Sequence, residues 1–263
     1  MNVRIAVVQT DPEFGRKEQN LDSAIRQMRS LKADIYVLPE LFATGYNFSN
    51  RSEVEELAEP FDGGQTSDSL QEFAREQEAF LIYGFAEVDG SRIFNSAGLL
   101  GFDGTKGLYR KIHLFDRETL FFTPGNLPFS VWETSAGRIG LMICFDWYFP
   151  ESVRTLALRG AQIIAHPSNL VLPHCPEAMK IRCLENRVFA ATANRVGGEI
   201  RGGHPLTFIG QSQITSPTGE VLHRSPADRA DLGVFSIDPR QGSSKSLNKY
   251  NDLLRDRRPE FYL

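Results

Sequence analysis

Cysteine is scarce in this chain: three residues in 263, an odd number. That usage argues against a disulfide framework and for a reducing compartment. Long hydrophobic runs are missing too, and nothing approaches the ~18 consecutive apolar residues that cross a bilayer as a helix. The opening MNVRIAVVQTDPEFG lacks a long apolar core segment and a small-residue cleavage site, so it reads as a strand and not as a secretory signal. An excess of one charge is also absent. The 29 Lys and Arg residues against 33 Asp and Glu leave a net charge of −4, with both signs mixed along the chain. There is therefore no electrostatic footprint for nucleic acid or for an anionic membrane surface. No Pro-, Gly- or Ser-rich linker and no repeat of fixed period divides the sequence. The expectation is a cytoplasmic protein folded as one domain over residues 1–263.

What is present is a pattern that switches between short buried runs and helical periods. VRIAVVQ (Val3 to Gln9) reads as a strand, followed by a helix with Leu21, Ala24, Ile25, Met28 and Leu31 on one face. IYVLPE (Ile35 to Glu40) reads as a second buried strand, and a helix over Ser69 to Glu78 precedes strands Phe80 to Val88 and Ser96 to Phe102. The second half repeats the alternation. Strands RIGLMIC, AQIIAHP and VFAATANRV are separated by helices Ser152 to Arg159 and Ala178 to Arg187, and FIGQSQITSP, EVLHRS and LGVFSID follow as strands. Such alternation with extra consecutive strands implies a layered α/β structure, two sheets face to face with helices outside.

Cys144 ends the apolar run Ile139 to Ile143 and precedes Phe145, Asp146 and a Phe149-Pro150 helix start. A nucleophile on a sharp turn at a strand's C-terminal end is exposed at the sheet edge, where backbone N–H groups can donate to an oxyanion. Read blandly, it is a small buried hydrophobe, the usual state of a free cysteine; Cys175 and Cys183 read that way. A thiol needs a base, yet none of His113, His166, His174, His204 and His223 sits in a papain-like or caspase-like signature. A buried carboxylate can serve instead, because desolvation raises its pKa toward neutrality. Glu40, directly after IYVLP, is placed for that role, although a strand-end glutamate is often a cap or a surface residue. Lys111, in LYRKIHLFD, either snorkels outward or points into a polar cavity, where its ammonium would lower a thiol's pKa and steady an oxyanion.

Three separated segments, LPELFATGY around Glu40, YRKIHLF around Lys111 and GLMICFDWYFPE around Cys144, resemble the nitrilase superfamily of carbon–nitrogen hydrolases. HPSNL (His166 to Leu170), ENRVFAATANRVG and SPTGEVL extend the resemblance over nearly the whole chain. It implies an α/β fold, a four-layer α-β-β-α sandwich. It also implies that Glu40 is the general base, that Cys144 forms a thioester, and that Lys111 and the Phe145 backbone N–H hold the oxyanion. Glu118, in HLFDRETLFF, would orient substrate or assist proton transfer; a charged loop residue is the bland alternative. No metal or organic cofactor is implied. The partners implied are a small amide or nitrile substrate and copies of the same chain, in a homodimer or a larger even-numbered assembly. The tail, about 245–263, would dock on a neighbouring subunit or close its own domain as a surface helix.

The substrate class depends on a departure from part of the family. Trp147 and Tyr148 stand where some N-carbamoyl amino-acid hydrolases of the superfamily carry arginines, which can hold a carboxylate bidentately. With Asn169, these aromatics are the candidate substrate-binding residues. They favour a small, uncharged acyl group and hence an aliphatic amidase, with an N-carbamoyl amidohydrolase or an aliphatic nitrilase as alternatives. A catalytically idle binding or scaffold protein is the alternative of a different kind, and the intact candidate set argues against it.

Overall fold

The computed structural model describes residues 2–262. The first half runs β1 (Val3–Gln9), α1 (Lys17–Arg29), β2 (Ile35–Val37), α2 (Arg51–Leu57), α3 (Gln65–Gln77), β3 (Phe80–Asp89), β4 (Arg92–Gly101), β5 (Lys106–Arg110) and the single turn α4 (Glu118–Phe121). The second half runs β6 (Val131–Thr134), β7 (Gly137–Leu141), α5 (Pro150–Leu158), β8 (Ile163–Pro167), α6 (Cys175–Asn186) and β9 (Phe189–Ala193). The hairpin β10 (Gly198–Arg201) and β11 (His204–Thr207) comes next, then β12 (Gln213–Thr215), β13 (Val221–Arg224) and β14 (Asp231–Ile237).

Two six-stranded sheets result, ordered β14-β1-β2-β3-β4-β5 and β13-β12-β9-β8-β7-β6. Their central strands are parallel, β1 with β2 with β3 and β7 with β8 with β9, and the crossovers between them carry the helices. Parallel strands covered on both faces read as continuous apolar runs rather than alternating ones, as in IAVV and GLMI. Along β1 to β4, Ile5, Val7, Ile35, Val37, Ile82 and Leu99 point into the space between the sheets, where they meet Ile139, Leu141, Ile163 and Ala165. The intervening residues Ala6, Val8, Tyr36 and Leu81 face outward onto Leu21, Ala24 and Met28 of α1 and Leu70 and Phe73 of α3. Val153, Leu156, Met179 and Cys183 belong to the same buried cluster on the second sheet's helical side. The stacking is helix, sheet, sheet, helix, as the sequence implies. Among the described residues no helix is long and apolar enough to cross a membrane.

Several elements differ from the sequence reading. Leu31 lies past the end of α1 and is 41% exposed, so it is not part of the buried helical face. Strand β12 covers three residues instead of the whole FIGQSQITSP run, because Gly210 and Gln211 take positive φ of 59° and 56° and break the ladder before it. Among the described residues the tail forms no α-helix. The Asp252 carboxylate accepts from the N–H groups of Leu254 and Arg255, and Asn248 Oδ1 accepts from those of Tyr250 and Asn251. These local bonds satisfy the backbone in turns and compete with a helix. The root of the tail is held by Lys245, whose ammonium donates to the carbonyls of Asn186 and Arg187 at the end of α6 and of Gly242 in the turn after β14.

The topology also places the chemistry. Glu40 follows β2, Cys144 follows β7 and Asn169 follows β8, all at C-terminal ends of parallel strands. At Gly84 on β3 the chain passes so close to β2 that an added Cβ would lie 2.4 Å from Glu40 Cα. Gly84→Ala should therefore lower stability by about 1–3 kcal/mol, the usual effect of overpacking, and chemical denaturation measures it. An unchanged midpoint would show slack between these strands.

Candidate active site

Glu40 is fully buried. Its backbone turns out of the strand at Leu41, where φ is +49°, and the Glu40 carbonyl accepts from Asn169 Nδ2 at 2.8 Å. One carboxylate oxygen, Oε1, accepts from Lys111 Nζ at 2.6 Å and Asn95 Nδ2 at 2.7 Å. The other, Oε2, has no partner among the described residues. Burial pushes the Glu40 carboxyl up to about 7 against the opposing pull of the Lys111 ammonium. A carboxylate with one pinned oxygen, one open oxygen and a near-neutral pKa can take and return a proton.

Lys111 does not snorkel. Its side chain is 0% exposed and its ammonium also meets Glu118 Oε1 at 2.6 Å. Burial works against its charge, but Glu118 and Glu40 outweigh that and hold the lysine protonated, above its ordinary value. The backbone is fixed as well: Lys111 N–H donates to Asn95 O on β4, and its carbonyl accepts from Gly125 N–H, both at 2.8 Å. Glu118 Oε1 further accepts from the Tyr46 hydroxyl at 2.6 Å, and Oε2 accepts from Phe115 N–H at 3.0 Å. Glu118 is thus a buried member of the cluster rather than a solvated loop charge.

Beyond β7 the chain stays extended through Ile143, then enters a 3-10 turn over Cys144–Tyr148. Cys144 itself has φ of +38°. A left-handed conformation at a non-glycine residue costs about 1–3 kcal/mol unless its surroundings impose it. Here they do. Ile143 N–H donates to Asp146 Oδ2 at 2.8 Å, and the Cys144 carbonyl is held by His166 Nε2 at 2.9 Å. A carbonyl only accepts, so Nε2 carries the proton and Nδ1, 3.0 Å from Thr192 Oγ1, is the acceptor. Burial drives the His166 imidazole down to about 4, which keeps it neutral. Burial likewise pushes the Cys144 thiol well above its ordinary value; Glu40 adds to the rise, while Lys111 and the Asn169 backbone N–H oppose it. Burial thus favours the protonated sulfur. Phe145 N–H opens the turn, in the position where a helical turn leaves its first donors unpaired, and can serve an oxyanion.

The sequence candidates converge. Cys144, Phe145, Trp147, Tyr148 and Asn169 line one pocket together with Phe115 and Val171. Trp147 is buried, while Tyr148 is 56% exposed at the rim. Asn169 has a structural share in the site through the Glu40 carbonyl, and its own Oδ1 is buried without a partner among the described residues. Across Phe115 and Val171 lies a chamber of 170 Å³ that reaches Tyr46, Glu118 and His204. Sequence reasoning passed over Asn95, Tyr46 and His166. The only signal for Asn95 was an amide inside the apolar strand RIFNSAGLL; Tyr46 closes the LPELFATGY segment and was quoted without a role. Among the described residues no cluster of three His, Cys, Asp or Glu side chains could hold a metal.

Known proteins share this arrangement of chain. A family model described as carbon-nitrogen hydrolase matches residues 4–244. A nitrilase from Pyrococcus abyssi (strain GE5 / Orsay) is 47% identical over 263 residues, 99% of each chain. A carbon-nitrogen hydrolase from Helicobacter pylori G27 superposes with a TM-score of 0.88 at 25% identity, covering 100% of this chain and 97% of that one. An amidase from Nesterenkonia sp. superposes with a TM-score of 0.81 at 27% identity, covering 98% and 94%. A variant of that amidase carries the acetamide moiety of fluoroacetamide added covalently at its active-site cysteine. With the match running through all three segments that bring Glu40, Lys111 and Cys144 together, the chain belongs to the carbon–nitrogen hydrolase family of the nitrilase superfamily.

Proposed function

We propose that this hydrolase is an aliphatic amidase that converts a small carboxamide to its acid and ammonia through a thioester on Cys144. The observation that carries the reading is the pocket above the sulfur. Its walls are Phe115, Phe145, Trp147, Tyr148 and the Leu170–Leu172 stretch, with no charged side chain among the described lining residues. Such a surface accepts an uncharged acyl group and offers no partner for a carboxylate. The covalent acetamide adduct of the similar amidase supports the same class.

In this reading Glu40 Oε2, the oxygen without a partner, takes the thiol proton as sulfur attacks the amide carbon. Charge develops on the carbonyl oxygen and is met by the Lys111 ammonium and the Phe145 N–H. Returning the proton to nitrogen releases ammonia, since an amide anion would not leave. The C–N bond breaks, the C–S bond remains, and water deprotonated by Glu40 hydrolyses the thioester to the acid and the free thiol. Glu118, fixed by Tyr46 and Lys111, orients the substrate nitrogen. A nitrile would react at the same sulfur, giving a thioimidate that must lose ammonia after adding water. The likeness to the Pyrococcus nitrilase favours this as the second reading.

Ammonia release from short aliphatic amides, their nitriles and N-carbamoyl compounds tests the substrate class. The amides should show the highest kcat/KM, and turnover of N-carbamoyl compounds alone would overturn the reading. Cys144→Ala should cost at least about 10³-fold in kcat, as removal of a covalent nucleophile does. The pH dependence follows from Glu40. As a base it works ionised, so with its carboxyl raised by burial to about 7, kcat/KM should fall about tenfold per pH unit below that point and level off above it. A flat profile from about pH 5 to 8 would exclude Glu40 as the base that limits the rate.

A further inference from the structure

One buried carboxylate next to the nucleophile has no part in the chemistry above. Asp146 is 0% exposed and sits two residues past Cys144 in the 3-10 turn. If it were only a turn cap, one oxygen accepting from Ile143 N–H at 2.8 Å would suffice. Its remaining acceptor capacity goes elsewhere. The same oxygen, Oδ2, accepts from the Tyr109 hydroxyl at 2.8 Å. Oδ1 is 2.7 Å from His113 Nδ1 and 3.4 Å from the His113 N–H. The Tyr109 hydroxyl accepts in turn from Ile112 N–H at 3.2 Å.

These partners share one location in the chain. Tyr109, Ile112 and His113 bracket Lys111, and they lead out of β5 in the first sheet, whereas Asp146 follows β7 in the second. The sulfur and the ammonium therefore come from different sheets, and Asp146 gathers donors from both. Both ends of the bridge are themselves packed. The Tyr109 ring stacks on Phe129 with centroids 5.1 Å apart, and the His113 ring lies on Phe149 at 3.7 Å and 11°.

We propose that Asp146 is a positioning residue that clamps the turn of Cys144 to the Lys111 segment and so sets the separation of sulfur and ammonium. The proposal rests on the reading of Cys144 as nucleophile and Lys111 as its electrostatic partner. A carboxylate suits the task because both its oxygens accept, while an amide in the same volume turns a donor toward one of these N–H or O–H groups. Reaction geometry is unforgiving: a shift of about 1 Å can cost about 100-fold in rate.

The test uses the full-length chain with Asp146→Asn and, as the milder change, Tyr109→Phe, which deletes one hydroxyl and keeps the stacked ring. Two quantities are read: kcat and KM per folded molecule on an amide substrate, and the pH profile of Cys144 alkylation by iodoacetamide. Asp146→Asn should lower kcat about 10- to 100-fold with KM changed less than about threefold, and Tyr109→Phe should lie between it and the parent. Because the Lys111 charge favours the thiolate, loosening the clamp should also move the alkylation profile to higher pH. Parent-like kcat and an unmoved profile in Tyr109→Phe, with Asp146→Asn either the same or merely less stable, would overturn the clamp. Cys144→Ala run alongside separates the two ideas. If it stays active, the nucleophile reading fails; if it is inactive and the clamp variants behave as the parent, only the clamp fails.

Discussion

Everything at this site depends on burying one ammonium between two carboxylates beside a thiol. Taking such charges out of water is costly, and the arrangement holds only when each is paired and its remaining lone pairs are satisfied. Lys111 meets Glu40 and Glu118 at 2.6 Å each, and Asn95, Tyr46 and the Phe115 N–H take up most of what is left. Among the described residues of this site, Glu40 Oε2, Asn95 Oδ1 and Asn169 Oδ1 are left as buried acceptors without a partner. The open carboxylate oxygen belongs to Glu40, and the other two open acceptors belong to the amides that hold Glu40 in place. Burial is the main reason the Glu40 carboxyl is raised, with the Glu118 carboxylate adding to it and the Lys111 ammonium opposing it.

The two-sheet architecture is the means of assembly. The first sheet supplies Glu40, Asn95, Lys111 and, just beyond it, Glu118; the second supplies Cys144, His166 and Asn169. Neither sheet holds a working set alone, so the packing of Ile5, Val7, Ile35 and Val37 on Ile139, Leu141 and Ile163 is what brings the chemistry to one place. Polar ties cross the same gap, from Asn169 to the Glu40 carbonyl and through the donors around Asp146. The strain at Cys144 fits this picture. A left-handed residue at the tip of a strand lifts the sulfur out of the ladder, and a neutral, deeply buried His166 holds the carbonyl that the twist would otherwise leave unpaired.

The layered α/β fold was legible in the sequence because parallel strands covered on both faces leave long apolar runs, and these fall where β1, β3, β7, β8 and β9 form. The short or polar elements were not. Helix α2 reads RSEVEEL and buries only Val54, and β10 and β11 form an isolated pair with little apolar patterning. At the site, Glu40, Lys111 and Cys144 stood out through motif resemblance, each in an apolar stretch that made its polar character conspicuous. Their supports were hidden for a physical reason. Asn95 reaches Glu40 across 55 positions and Asn169 reaches it across 129, separations that strand pairing and sheet packing create and that no local pattern records. Trp147 and Tyr148, read from the sequence as substrate-binding candidates, both line the pocket but differ in depth, a difference that no local pattern records.

The state of the sulfur at rest has a bearing on the lifetime of the protein. Peroxide and adventitious electrophiles attack thiolates, and their attack on a cysteine scales with its ionised fraction and its access to solvent. Burial raises the Cys144 thiol and leaves it only 6% exposed, so its sulfenic-acid formation in dilute peroxide should be slow beside that of an ordinary surface thiol. The burial that raises the Glu40 carboxyl thus also shields the neighbouring Cys144 sulfur from solvent.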